Sequence, residues 1–363
     1  MPFFVDPNIA KAKTLSTDFY TDEKYFTTAK EKIFAPSWQF IGSRDMVKFP
    51  GDVQPFTLLK DYMSEPLLLS KDKDGNLHCL SNVCTHRGNI VAYQPCSKAN
   101  HLRCKYHGRL FSLDGKMTSM PEFKEVEGFP CEEDNLPPLP LFSWGNLLFT
   151  SLDKKEQPNI YFQEMIQRMH WLPIEQFVPR PDLSKTFDVD ANWVLYCENY
   201  LEGFHIPFVH ASLNAALSFS DYTTELYPRG SLQIGVGKEE EDCFDLPESS
   251  EDHGSNIAAY YFWVYPNMMF NFYPWGLSIN VVNPVSINKT RVEFIVYMWQ
   301  EEHYDKGAGS NLDKVEMEDE EIVESVQRGI VSRFYKHGRY SVTRESGTHH
   351  FHRLIAESMK QNG

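Results

Sequence analysis

Cys84-Thr85-His86-Arg87-Gly88 and Cys104-Lys105-Tyr106-His107-Gly108 are the stretches on which the reading of this chain turns, and the 17 residues Arg87 to Arg103 lie between their Cys–His pairs. Each pair supplies one thiolate and one imidazole from a single loop. Two such loops facing each other offer two sulfur and two nitrogen donors to a metal or a binuclear cluster. Gly88 and Gly108, close behind the donors, permit tight turns. Zinc accepts the same donor types, but zinc fingers group Cys with Cys and His with His. The mixed C-x-H and C-x-x-H pairs suit a [2Fe–2S] cluster with two Cys on one iron and two His on the other, where imidazole removes negative charge and raises the potential. Cys79, Cys96, Cys131, His78 and His101 fall outside this spacing and read as ordinary packing or surface residues.

A second donor group lies downstream. The segment Asn192 to His210 places His205 and His210 five apart with Pro207 between them, and Glu202 three residues before His205. Five is poor spacing for one face of a regular helix. A bend at Pro207 is therefore expected to turn His210 back toward His205, with Glu202 on the helical face of His205. Two imidazoles need a carboxylate to complete a facial triad on Fe(II) that leaves open positions for oxygen. The acidic run Glu316, Glu318, Asp319, Glu320 and Glu321 offers five.

Together these motifs resemble the catalytic (alpha) subunits of Rieske non-haem iron oxygenases, the aromatic-ring-hydroxylating dioxygenase superfamily. The resemblance spans nearly the whole chain. One departure is Arg109, where many members carry Trp. The resemblance implies Cys84, His86, Cys104 and His107 as ligands of the Rieske [2Fe–2S] cluster. It implies His205, His210 and Asp319 as ligands of a mononuclear Fe(II), with Glu320 the alternative carboxylate. Glu202 falls where the family has an acidic residue bridging the two centres. Glu rather than Asp there resembles the branch acting on carnitine-, choline- and betaine-like quaternary ammonium compounds.

The implied function is the oxygenase component of a multicomponent system using O2 and electrons from NAD(P)H. A separate flavin or iron–sulfur reductase, with or without a ferredoxin, delivers the electrons, because no nucleotide-binding fingerprint occurs in this chain. The expected chemistry is hydroxylation or N-dealkylation of a small organic substrate, favouring a quaternary ammonium compound. Aromatic cis-dihydroxylation is the alternative, and a helix-grip binding module with structural zinc is the non-enzyme alternative. The family pattern also implies a head-to-tail homotrimer in which one subunit's cluster serves the next subunit's iron.

The wider sequence accommodates this. It has 363 residues, 42% hydrophobic and 23% charged, with a net charge of −15, which disfavours nucleic acid and anionic membranes as partners. Seven cysteines are too few and odd in number for a disulfide scaffold, and neither a signal peptide nor a membrane span is visible, so a cytoplasmic protein is expected. The expected fold is α+β in three parts: an N-terminal helical segment, 1–37, packing on the catalytic domain; a β-rich Rieske domain, 38–150; and a catalytic domain, 151–363, built as a helix-grip (START/Bet v1-like) antiparallel sheet. Helices are expected over Phe19–Phe34, Ile160–Trp171, Asn192–Phe204 and Leu312–Tyr335, the last with Val315, Ile322, Val323, Val326, Ile330 and Val331 on its apolar side. Strands are expected over Ser231–Gly237, Ala258–Tyr265, Met268–Tyr273, Leu277–Val282 and Arg291–Trp299. The acidic segments Glu239–Asp242 and Pro247–Asp252 read as a solvated loop. The aromatic run Tyr260 to Trp275 reads as core, with the option of a pocket wall that stacks a ring or cages a trimethylammonium group.

Overall fold

A computed structural model describes residues 3–153 and 155–360. The chain divides into two compact units: Trp38–Glu156, and the segments flanking it, up to Ser37 and from Gln157 onward. The polar stretch after Thr150 belongs to the first unit, where the Trp38 indole N–H donates to the Glu156 carbonyl at 3.0 Å.

The Trp38–Glu156 unit is built of small antiparallel sheets. Val53–Leu58, Glu65–Lys71, Leu77–Ser81 and Pro138–Leu139 form one, with the turn at Asp72 to Gly75 joining its second and third strands. Leu102–Arg103, Leu110–Phe111 and Met117–Ser119 form another. Their apolar faces close on Val53, Leu68, Leu80, Leu102, Phe111 and Leu136, and Cys84 and Cys104 sit in that same core.

The second unit is organised by an eight-stranded antiparallel sheet. Its long strands are Gly230–Val236, Ile257–Val264, Met268–Tyr273, Gly276–Ser286 and Lys289–Met298, each paired with the next. Thr223–Tyr227 extends one edge, and Val178–Pro179 and Lys185–Val189, not anticipated from sequence, pair with the last strand. The N-terminal helices pack in this unit: Phe34 meets Trp193 edge-on at 5.0 Å, and the Tyr20 hydroxyl donates to Glu198.

Three expectations are corrected. The helix beginning at Trp193, capped by the Asn192 side chain on the Val194 N–H, ends at Tyr200 rather than Phe204. The acidic helix runs Leu312–Ile330 and buries only Glu316, Val323 and Ile330, while Ile322, Val326 and Val331 are exposed. Those three buried positions recur every seventh residue, a narrow seam rather than a broad amphipathic face. The acidic loop is also partly pinned, since Arg168 makes ion pairs with Glu251 at 2.5 Å and Asp252 at 3.1 Å.

The largest omission is the C-terminal helix, Ser346–Lys360, which is mostly buried. Its core face carries histidines, which hid the apolar period. Each is satisfied by a specific acceptor: His349 donates to the Asp6 carbonyl, His350 to the Tyr227 carbonyl and His352 to Glu198, all at 2.7 Å. Phe351 packs on Trp263 of the sheet at 4.9 Å. Among the described residues no helix is long and apolar enough to cross a membrane.

Candidate metal centres

Both Cys–His loops are hairpin tips closed in the same way. Val83 pairs with Ile90, and Arg103 with Leu110. At the first tip the Cys84 N–H donates to the Asn89 carbonyl at 2.8 Å and the Gly88 N–H to the Cys84 carbonyl at 3.0 Å. At the second the Cys104 N–H donates to the Arg109 carbonyl at 2.9 Å and the Gly108 N–H to the Cys104 carbonyl at 3.1 Å. C-x-H and C-x-x-H are thus one turn with the imidazole moved by one position. Gly88 at φ +69° and Gly108 at φ +74° adopt the left-handed conformation that other residues resist.

The tips bring together the four predicted donors. Cys84 and Cys104 are buried, and the Nδ1 atoms of His86 and His107 face each other at 3.1 Å. Two ring nitrogens this close, with two buried thiols in the adjoining core, fit the donor set a [2Fe–2S] cluster would require. The Asn89 side chain donates to Cys104 Sγ at 3.5 Å. Burial lowers the basicity of His86, and the neighbouring His107, Arg87 and Arg109 add to that. Neutral imidazole is the form that coordinates metal.

Arg109 ties the two tips together. Almost wholly buried, it pairs with Asp134 at 2.5 Å and donates to the Thr85 hydroxyl at 3.0 Å, with Phe129 5.3 Å beneath it. Arg109→Met leaves Asp134 without its cation, and breaking a buried pair costs about 3 kcal/mol. The expected result is an earlier denaturant midpoint for loss of the cluster's visible absorbance. An unchanged midpoint would mean the pair contributes nothing.

The second donor group assembles in the other unit. His205, His210 and Asp319 each offer one ligand atom, all within 4.8 Å of one another. Asp319 Oδ1 lies 3.0 Å from His210 Nε2 and 3.5 Å from His205 Nε2. The remaining ring nitrogens are held from behind: His205 Nδ1 donates to Glu202 Oε1 and His210 Nδ1 to Glu318 Oε2, both at 2.8 Å. A carboxylate on Nδ1 fixes the tautomer that leaves Nε2 free for a metal. His210 is raised in basicity, since Asp319 and Glu318 outweigh the opposing effect of its burial. Two imidazoles and one carboxylate, each imidazole oriented by a second carboxylate, fit a ferrous ion.

The local route differs from the one expected. Pro207 sits in the first turn of the short helix Ile206–Val209, where its missing N–H does no harm, and the chain bends at His210 instead. Glu202 is in the turn after the Trp193 helix, not on a helix face. Its Oε2 accepts the backbone N–H groups of Phe204 and His205, so one carboxylate holds both the turn and the imidazole. Glu320 is not among the grouped donors.

Comparison with known proteins agrees with both halves. The Rieske [2Fe-2S] domain matches residues 37–130, and the ring hydroxylating alpha subunit (catalytic domain) matches residues 179–361. The chain belongs to the Rieske non-haem iron oxygenases. Choline monooxygenase of Arabidopsis thaliana is 31% identical over 98% of this chain and 85% of its own length. The carnitine monooxygenase oxygenase subunit of Escherichia coli is 28% identical over 99% of this chain and 98% of its own. A solved quaternary ammonium Rieske monooxygenase superposes with a TM-score of 0.77 at 25% identity, covering 98% of this chain and 97% of that one.

In this oxygenase a cavity of about 100 Å³ opens beside His205, His210 and Asp319. From the aromatic run only Tyr261, Asn271 and Tyr273 line it, because alternation along the strands turns their neighbours into the core. Tyr196 and Tyr200 of the Trp193 helix, and Tyr222, complete an aromatic wall. Glu318 was one of five candidate ligands in sequence and instead holds His210 from behind, and these three tyrosines were not singled out. A helical or loop tyrosine carries no local mark of the cavity it will face.

Proposed function

We propose that this oxygenase hydroxylates or N-dealkylates a quaternary ammonium compound, with His205, His210 and Asp319 holding the mononuclear iron and Cys84, His86, Cys104 and His107 holding the cluster. The observation that carries the reading is the cavity next to the three grouped donors, whose lining combines tyrosines with carboxylates and, among the described residues, neither lysine nor arginine. The faces of its rings attract a desolvated cation. The choline and carnitine monooxygenases among its relatives support the same class.

When bound, the iron supplies a site at which dioxygen is activated. The balance is substrate C–H plus O2 plus NAD(P)H plus a proton, giving substrate C–OH, water and NAD(P)+. Where the new C–OH lies next to nitrogen, the C–N bond breaks to an amine and a carbonyl compound.

The chain's residues do the rest. Glu202 and Glu318 hold the two imidazoles, the tyrosines place the cationic head and exclude water, and Glu202 also links this site to an incoming cluster. We place the protein in the cytoplasm as a head-to-tail homotrimer served by a separate flavin or iron–sulfur reductase.

The test is oxygen uptake by the reconstituted system with choline, carnitine and betaine, compared with simple aromatic acids. Trimethylammonium compounds are expected to stimulate uptake and be consumed. Stimulation by aromatic acids alone would replace this reading with ring hydroxylation.

A further inference from the structure

The cavity holds a charge imbalance that the iron site does not use. Its lining includes three carboxylates, Glu202, Asp319 and Glu316, and neither lysine nor arginine among the described residues. Glu202 is committed to His205 and its turn, and Asp319 lies against both imidazoles. Glu316 has no such role. It is only 3% exposed and sits on the acidic helix three residues before Asp319, one turn back on the same face. Its Oε2 accepts from the Tyr196 hydroxyl at 2.6 Å, while its Oε1 is buried with no hydrogen-bond partner.

A buried carboxylate oxygen with no partner is costly, and a cation is what relieves it. Burial pushes the Glu316 carboxyl well above the usual carboxylate range, and Asp319 and Glu320 push the same way against the Tyr196 hydrogen bond. A positive group entering the cavity stabilises the ionised form. A neutral aromatic guest would stack on Tyr200, Tyr222 or Tyr261 equally well, but would leave Oε1 as it is. The rings alone therefore do not decide between the two classes of guest.

We propose that Glu316 is a specificity-determining residue of this oxygenase: its free Oε1 is the counter-charge that receives the cationic head of the substrate among the tyrosines of the cavity. This rests on the quaternary ammonium reading given above and names the residue that enforces it. Contact runs through the polarised methyl groups around the nitrogen, which carry the charge of a quaternary ammonium ion. No bond is made or broken.

The test is anaerobic calorimetry on the holoenzyme with three probes: choline, tetramethylammonium, and 3,3-dimethylbutan-1-ol, the uncharged carbon isostere of choline. In the unsubstituted protein the two cations are expected to bind more tightly than the alcohol. Glu316→Gln keeps the shape and removes the charge, and should weaken both cations about thirtyfold while leaving the alcohol unchanged. Glu316→Asp keeps the charge on a shorter arm and should lose less, which serves if the glutamine variant folds poorly. Equal weakening of all three probes in Glu316→Gln, or no weakening at all, would overturn the role of Glu316. An unsubstituted protein that prefers the alcohol would overturn the quaternary ammonium reading itself, and this proposal with it.

Discussion

Asp319→Ala and His210→Ala proteins are expected to stay brown, with the cluster's absorbance and reduced-state paramagnetic signal intact, and to lose oxygenation to background. The two effects separate because the donors lie in different compact units, the cluster loops within Trp38–Glu156 and the His–His–Asp group in the other. Removing Asp319 takes away the carboxylate oxygen that lies 3.0 Å from His210 Nε2 and 3.5 Å from His205 Nε2. Removing His210, 1% exposed, also leaves Glu318 without its hydrogen-bond donor. Glu318→Ala should be milder, weakening iron about 10–100-fold, because it only orients a ligand. Iron content above that of the cluster, measured alongside turnover, reads both effects. Retention of iron and turnover in Asp319→Ala, with their loss in Glu320→Ala, would move the carboxylate assignment by one residue.

Glu202→Gln is expected to keep the cluster and to stop turnover. Glu202 accepts three donors, the N–H groups of Phe204 and His205 and the His205 ring. A glutamine of the same length has one oxygen where the carboxylate has two, and its amide NH2 turns a donor against one of those donors. Either the turn or the imidazole is released, and the charge that stabilises a polarised His205 is lost. Stopped-flow absorbance of pre-reduced protein mixed with substrate and oxygen isolates this step from the reductase. The reduced-cluster spectrum should persist in the variant and decay within a turnover in the unsubstituted protein. Equally rapid decay in the variant would remove Glu202 from any linking role.

The C-terminal helix shows where local reading fails. Its buried face contains His349, His352 and Ser358, which look like surface residues until distant groups such as Glu198 and the Asp6 carbonyl arrive to satisfy them. Hydrophobic periodicity detects only burial that needs no partner. The same limit applies to the acidic helix, whose exposed Ile322, Val326 and Val331 carry the apolar pattern while Glu316 is buried.

What the sequence determined by itself is local chemistry. Two turns of identical closure need glycine at one position and present their donors at short range, so Cys84 to Gly88 and Cys104 to Gly108 are legible as written. The long strands of the catalytic sheet are legible too, because a side-chain period of two is a local property. Residue chemistry and spacing leave five neighbouring carboxylates open and the resemblance narrows them to Asp319; tertiary structure brings Asp319 to the two histidines and sets Glu318 and Glu202 behind their imidazoles. It also decided that Glu316 is buried with an unpartnered oxygen in the cavity wall. Asp319 is 109 residues from His210, and its place there depends on the rotation of a whole helix about its axis. A turn of about 100° per residue moves a different carboxylate to the site, and long-range contacts such as Tyr196 with Glu316 and the Asn192 N–H with Gln327 set that angle.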